Sequence, residues 1–259
     1  MRSCGNLAIV PNRILNIHQI PFAGLMNHPT VDVLVVAPHP DDAELGMAGT
    51  ILSLVAEGRS VGILELTSGE PTPLGSPEIR KRETDTATAL MGIAWRGGLG
   101  LPNRNLEPTL ANRRKLAESF RRLRPSLIFA PYWEDAHPDH LAATELTEAA
   151  RFWSKLSKSD MAGEPFHPSR ILYYFSVHLR IVERPSILMD ISRYETRKRE
   201  ILAAYRSQLV DNQPQGEPGV IDRVMDRNRY WGVMAGVRSA EPFASREPVG
   251  LKSLKDFLL

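Results

Sequence analysis

The 259-residue sequence predicts an α/β fold, a mostly parallel central sheet covered by helices, with its chemistry at the C-terminal edge of the strands. Three observations carry this expectation. Short runs rich in branched apolar residues, Val31–Val36 and Ser126–Ala130, have the length and composition of strands buried on both faces. Such runs alternate with segments of helical apolar spacing, the pattern of β-α-β units, for which parallel pairing and a right-handed crossover are the strong default. Prolines close both runs, and a cluster of histidines and carboxylates follows each one.

The elements follow in order. Pro38 and Pro40 end the first strand, because proline has no N–H for a central strand to donate. Gly46–Glu57 has helical spacing, and Gly58 is a natural C-terminal stop. Ser60–Thr67 is a second strand, and the turn-rich Ser68–Pro77 is a loop over the same sheet edge. Glu78–Met91 is a second helix, with a third strand around Trp95–Leu99. Leu101–Leu106 forms a loop before a helix over Thr109–Leu123, which Pro125 stops. Ser126–Ala130 is the fourth strand, and Tyr132–His137 leads into a helix from Pro138 to Trp153 with proline at its favoured first position. Ile171–Val177 and Ser186–Ile191 are further strands. Ser192–Leu209 is a helix capped at Ser192, Asp211–Gly219 a mobile loop and Asp222–Met234 a last helix. No repeat or linker divides the chain, so residues 30–259 are expected to form one domain. Residues 1–29 are expected to be a poorly ordered or strand-like extension, with Met26 as an alternative start.

Composition excludes several classes. A formal net charge of +2 gives no electrostatic case for nucleic acid. The basic run Arg113, Arg114, Lys115, Arg121, Arg122 and Arg124 falls on a predicted helix and is expected to be a solvated face. A single cysteine, Cys4, rules out a disulfide framework or a thiolate zinc site within one chain and fits a reducing cytoplasm. No apolar run is long enough to span a membrane. The expected partner is a small molecule.

The first cluster, His39-Pro40-Asp41-Asp42, places an imidazole and a carboxylate three residues apart, a bite that fits one metal ion, with Asp41 left free. The second is Trp133-Glu134-Asp135-Ala136-His137-Pro138-Asp139-His140. Loops at one sheet edge converge, so the two clusters are expected to build one site. His39, Asp42 and His140 with an open fourth position suit a catalytic zinc, which brings the pKa of bound water toward about 7. Asp41 is then the general base, and His137 either stabilises the oxyanion as imidazolium or protonates the leaving amine. Asp139 is expected to cap the helix or to stand behind the ligands. The reaction class is hydrolysis of an amide or ester. The same nitrogen and oxygen ligands accept Zn²⁺ or Fe²⁺. A dinucleotide-binding module is disfavoured, because Gly-x-Gly-x-x-Gly is absent after the first strand and the acidic loop repels a pyrophosphate. A non-catalytic binding protein of the same fold would be expected to have lost Asp41.

The stretch Ala37–Gly46 resembles the signature AHPDDxExG of the LmbE-like (PIG-L) family of metal-dependent N-acetylglucosaminyl deacetylases, with Pro38 inserted, and Ala136–His140 resembles its second motif. The resemblance runs from about Val31 to Phe243. It implies a Rossmann-like three-layer sandwich, the ligand, base and His137 roles just given, and a homo-oligomer, trimer or hexamer. Thr67–Glu70, Arg80–Glu83, Leu101–Arg104, Pro131–Asp135, Tyr205–Gln208 and Ala240–Phe243 are most similar to the bacillithiol-pathway branch, which acts on N-acetylglucosaminyl malate. By that resemblance Arg80 and Arg104 contact sugar hydroxyls or substrate carboxylates, for which a guanidinium fork is suited. Other acetylated sugars, such as a chitooligosaccharide or a secondary metabolite, are the alternative within the same chemistry.

Overall fold

A computed structural model describes residues 29–176, 178, 184–211, 213 and 217–250. The expectations for the N-terminal extension, Met26 and the middle of the 211–219 loop lie outside the described residues. Seven strands form one sheet in the order β3-β2-β1-β4-β5-β7-β6. They are β1 (Val33–Ala37), β2 (Val61–Thr67), β3 (Trp95–Leu101), β4 (Leu127–Pro131), β5 (Arg170–Tyr174), β6 (Ile187–Asp190) and β7 (Ala240–Ala244). The first five pair in parallel, and β7 runs antiparallel to both β5 and β6.

Helices α1 (Asp42–Ala56), α2 (Pro77–Met91), α5 (Glu195–Ala204) and α6 (Val220–Ala235) cover one face, and α3 (Leu110–Leu123) with α4 (Pro138–Ser154) the other. Strand alternation divides the core accordingly. Val33, Val35 and Ala37 of β1 point into the first layer, Leu34 and Val36 into the second. The expected three-layer architecture is the one observed.

Three elements depart from the sequence reading. Helix α1 begins at Asp42 rather than Gly46, so the acidic cluster is itself the first turn. The helix kinks at Met47 (φ −153°, ψ 24°), and the Glu241 carboxylate accepts the Gly49 and Thr50 N–H groups that the kink frees. Carboxylates at this N-terminus also meet the positive end of the helix dipole. The helix expected over 192–209 is divided into a 3₁₀ turn (Ser192–Tyr194), α5 and a π turn (Arg206–Val210), with the break at Tyr205. There the Tyr205 hydroxyl donates to buried Glu44. Strand β7 was not expected, because Pro242 interrupts it and Glu241 is charged.

The topology fixes where ligands bind. Sheet order reverses between β1 and β4, which are neighbours although three crossovers separate them in sequence. Loops leaving such adjacent strands on opposite faces open a crevice at the C-terminal edge. Both polar clusters stand there. Gly46 is needed for the close packing behind it, since a Cβ at this position would lie 2.5 Å from the Tyr174 ring, whose hydroxyl donates to the Val36 carbonyl.

Candidate metal and catalytic centre

The β1–α1 loop delivers His39, Asp41 and Asp42. The Asp42 side chain folds back so that Oδ2 accepts the His39 N–H at 3.0 Å and lies 3.0 Å from His39 Nδ1. From the other side His140, in the first turn of α4, brings Nε2 to 3.3 Å from the same oxygen. Tetrahedral ligands at zinc distances stand about 3.3 Å apart, so both contacts of Asp42 Oδ2 have the spacing of one coordination shell, and one ligand atom from each of the three residues lies within 4.8 Å of the others. His140 is fully buried, and its Nε2 has no hydrogen-bond partner. A lone pair so placed, beside a carboxylate and a second imidazole, is what a divalent cation requires. The residues therefore fit the metal ion expected from the sequence.

Each histidine is oriented by a further carboxylate. Asp135 Oδ2 lies 3.0 Å from His140 Nδ1, and Asp139 Oδ2 lies 3.1 Å from His39 Nε2. These contacts place the ring protons on the outer nitrogens and leave His140 Nε2 and His39 Nδ1 as electron-pair donors. His39, His137 and Asp139 also form a close group. The Asp139 oxygens, however, already accept the backbone N–H groups of Arg104 and Leu106. Asp139 thus ties the His39 ring to the backbone of the 104–106 loop.

The charges are mutually compensated. Burial pushes the His140 pKa down, but Asp42 and Asp135 outweigh it and hold it at about 10, so a cation that binds at Nε2 takes the place of a proton there. Burial likewise opposes ionisation of Asp42, yet the adjacent His140 and His39 keep its carboxyl well below the usual range. Asp41 is different. It is outside the ligand group, and burial raises its pKa to about 7, against the pull of Arg80 and with the help of Asp42 and Glu44. A carboxylate with a pKa near neutrality is matched to proton abstraction at physiological pH. Its backbone is in the left-handed region, with φ 104°.

His137 is the N-cap of α4, and its Nδ1 accepts the Asp139 N–H at 3.2 Å. Its Nε2 is therefore the protonated nitrogen of a neutral ring. Burial, with cationic His140 and His39 nearby, lowers its pKa. The other two residues anticipated at the site are placed differently from each other. Arg80 is buried, with Nη1 3.1 Å from Asp41 Oδ2. Arg104 has φ 65° and an exposed side chain, and it contributes its backbone N–H to Asp139.

Two residues were given no role in the sequence. Asp135 orients His140 and also accepts the His137 N–H at 2.8 Å. His178, beyond the end of β5, packs its ring 5.0 Å from His140 and 5.4 Å from His137. The one signal for His178 was a lone histidine after a strand at the same sheet edge.

Comparison with known proteins points to deacetylases. The family model PIG-L: GlcNAc-PI de-N-acetylase matches residues 34–151, which span both clusters. A probable N-acetyl-alpha-D-glucosaminyl L-malate deacetylase 2 of Bacillus anthracis is 28% identical over 221 residues, 77% of this chain and 93% of that relative. A diacetylchitobiose deacetylase of Thermococcus kodakarensis is 28% identical over 237 residues, 83% of this chain and 84% of that one. Among solved structures, a conserved protein from Thermus thermophilus superposes with a TM-score of 0.79 at 43% identity, covering 86% of this chain and 97% of that one.

Proposed function

The chain belongs to the PIG-L family, whose model is that of a GlcNAc-PI de-N-acetylase, and from this premise we propose that it removes the N-acetyl group of N-acetylglucosaminyl malate. It is an amide hydrolase of GlcNAc-type substrates. One observation carries the mechanism: two imidazole nitrogens converge on one Asp42 oxygen, while the neighbouring Asp41 carboxylate stays outside the group.

In the proposed mechanism His39, Asp42 and His140 would hold a zinc or iron(II) ion, which would supply Lewis acidity to the reaction. Asp41 takes a proton from the attacking water as the new C–O bond forms. The His137 Nε2–H donates to the carbonyl oxygen as it gains negative charge. Asp41 then returns its proton to the amide nitrogen, the C–N bond breaks, and the second water proton passes from the new carboxyl to the amine, so that acetate and an ammonium group leave. Asp135 and Asp139 keep the ligand rings in their tautomers, and Arg104 stands at the exposed rim.

The malate glycoside is favoured by the relative that this chain matches over 93% of its length. A second reading, diacetylchitobiose, rests on the Thermococcus kodakarensis relative at equal identity. The discriminating experiment is acetate release by the zinc-loaded protein from N-acetylglucosaminyl malate, free GlcNAc and diacetylchitobiose. Preference for the malate glycoside supports the proposal, and turnover of diacetylchitobiose alone replaces it with the second reading.

A further inference from the structure

Arg80 was expected to touch the substrate, but its surroundings suit another task. It lies in the first turn of α2 and is 6% exposed, which leaves little surface for a sugar to meet. Its one side-chain hydrogen bond among the described residues runs from Nη1 to Asp41 Oδ2, at 3.1 Å, and its Nε has no partner. The guanidinium is enclosed on its other sides. A Cβ at Gly69 would stand 3.1 Å from Nη2 and 3.5 Å from Nε, so the glycine with φ +72° leaves the room that the fork occupies. The Tyr205 ring centroid is 5.9 Å from the guanidinium carbon.

Asp41 depends on this contact. Although it occupies the N-cap position of α1, its side chain makes no capping hydrogen bond. Two further carboxylates, Asp42 and Glu44, follow within three residues. Arg80 is the one side chain among the described residues that donates to it. A carboxylate beside two like charges and without a donor rotates away from them, whereas one with Oδ2 pinned presents Oδ1 in a fixed direction.

We infer that Arg80 is a positioning residue that acts through Asp41, fixing the carboxylate so that its free oxygen faces the attacking water. The inference rests on the assignment of Asp41 as general base. It separates Arg80 from substrate binding, because a positioning residue changes turnover while a sugar ligand changes affinity.

The test uses the zinc-loaded full chain with Arg80→Met, Arg80→Lys, Asp41→Asn and the double variant Arg80→Met/Asp41→Asn. Arg80→Met is expected to lower kcat about 10- to 100-fold with KM within about threefold, since small misplacements of a reacting group cost about that much. Arg80→Lys recovers part of the loss, keeping the charge without the planar fork. In the Asp41→Asn background the Arg80→Met change costs less than about threefold, because the group through which it acts is gone. A raised KM at unchanged kcat, persisting in the Asp41→Asn background, overturns the inference and makes Arg80 a sugar ligand. No effect on either constant overturns it too. Should Arg80→Met fail to fold, Arg80→Lys carries the same comparison. Absence of wild-type turnover on all three acetylated sugars would defeat the functional reading separately. A crystal structure of zinc-loaded Arg80→Met then decides, with a displaced Asp41 carboxylate supporting the inference and an unmoved one overturning it.

Discussion

At the residue scale the site works by deciding which nitrogen of each imidazole is free. Asp135 occupies His140 Nδ1 and Asp139 occupies His39 Nε2, so both inner nitrogens can donate an electron pair to one cation. Asp135→Ala is expected to lower metal affinity about 10- to 100-fold, as loss of such orienting carboxylates does, and chelator competition measures it. Asp41→Asn should behave in the opposite way, keeping the metal while activity falls about 10²- to 10⁴-fold. The pH profile has a definite sign. Asp41 must be ionised to act, so activity falls as pH drops through its pKa, which burial raises to about 7. A bound cation adds positive charge nearby and moves the acid limb to about 7 or below, so a limb well above 7 would exclude Asp41 as the base. His39, Asp41, Asp42, His137 and His140 were legible because each cluster is contiguous and follows a proline-terminated strand. The contacts of Asp135 with His140, of Arg80 with Asp41 and of His178 with His137 and His140 were not legible, since tautomer choice and contacts between distant loops exist only after folding.

At the element scale the least legible feature is the start and kink of α1. Apolar spacing located the body of α1, but not that its first turn is the acidic cluster or that it kinks at Met47. The partner that makes the kink tolerable comes from β7, far along the chain. Glu241 accepts the Gly49 and Thr50 N–H groups and the Thr50 hydroxyl, and it pairs with the fully buried Lys198 ammonium at 2.6 Å. Lys198 also donates to the Leu45 carbonyl, while burial lowers its pKa. The two ends of this pair are unequal. Glu241→Ala strands a buried cation and three donors, and about 3–5 kcal/mol is expected. Lys198→Met leaves a carboxylate that still has three donors, so its cost should be smaller. Urea unfolding of the two variants checks the order, and an equal or reversed cost would show that Glu241 is not the cap that holds α1. Strand β7 was hidden for the same reason that it matters, since a proline and a buried glutamate do not look like a strand in sequence alone.

At the scale of the whole molecule, the three proposed metal ligands join its two sides. His39 and Asp42 belong to the β1–α1 connection on one face of the sheet, and His140 to the β4–α4 connection on the other. A cation bound by all three therefore ties both helical layers to adjacent central strands. Binding to the folded chain alone stabilises it by RT ln(1 + [L]/Kd), about 2.7 kcal/mol at a hundredfold excess over Kd. For a chain of this size each kcal/mol is worth about 2–4 °C in Tm, so chelation should lower Tm by about 5–10 °C from a zinc-loaded reference. The gap should vanish in Asp42→Ala, which loses the oxygen shared by both imidazoles, and persist in Asp41→Asn, which removes only the free carboxylate. A wild-type Tm insensitive to chelation, with bound zinc confirmed beforehand and its removal confirmed afterwards, would mean that the ion is held elsewhere and that the three converging atoms are a hydrogen-bonded cluster. A gap that survives Asp42→Ala would remove Asp42 from the ligand set. The two single substitutions at neighbouring positions thus separate holding the metal from using it, with thermal stability as a readout that needs no substrate.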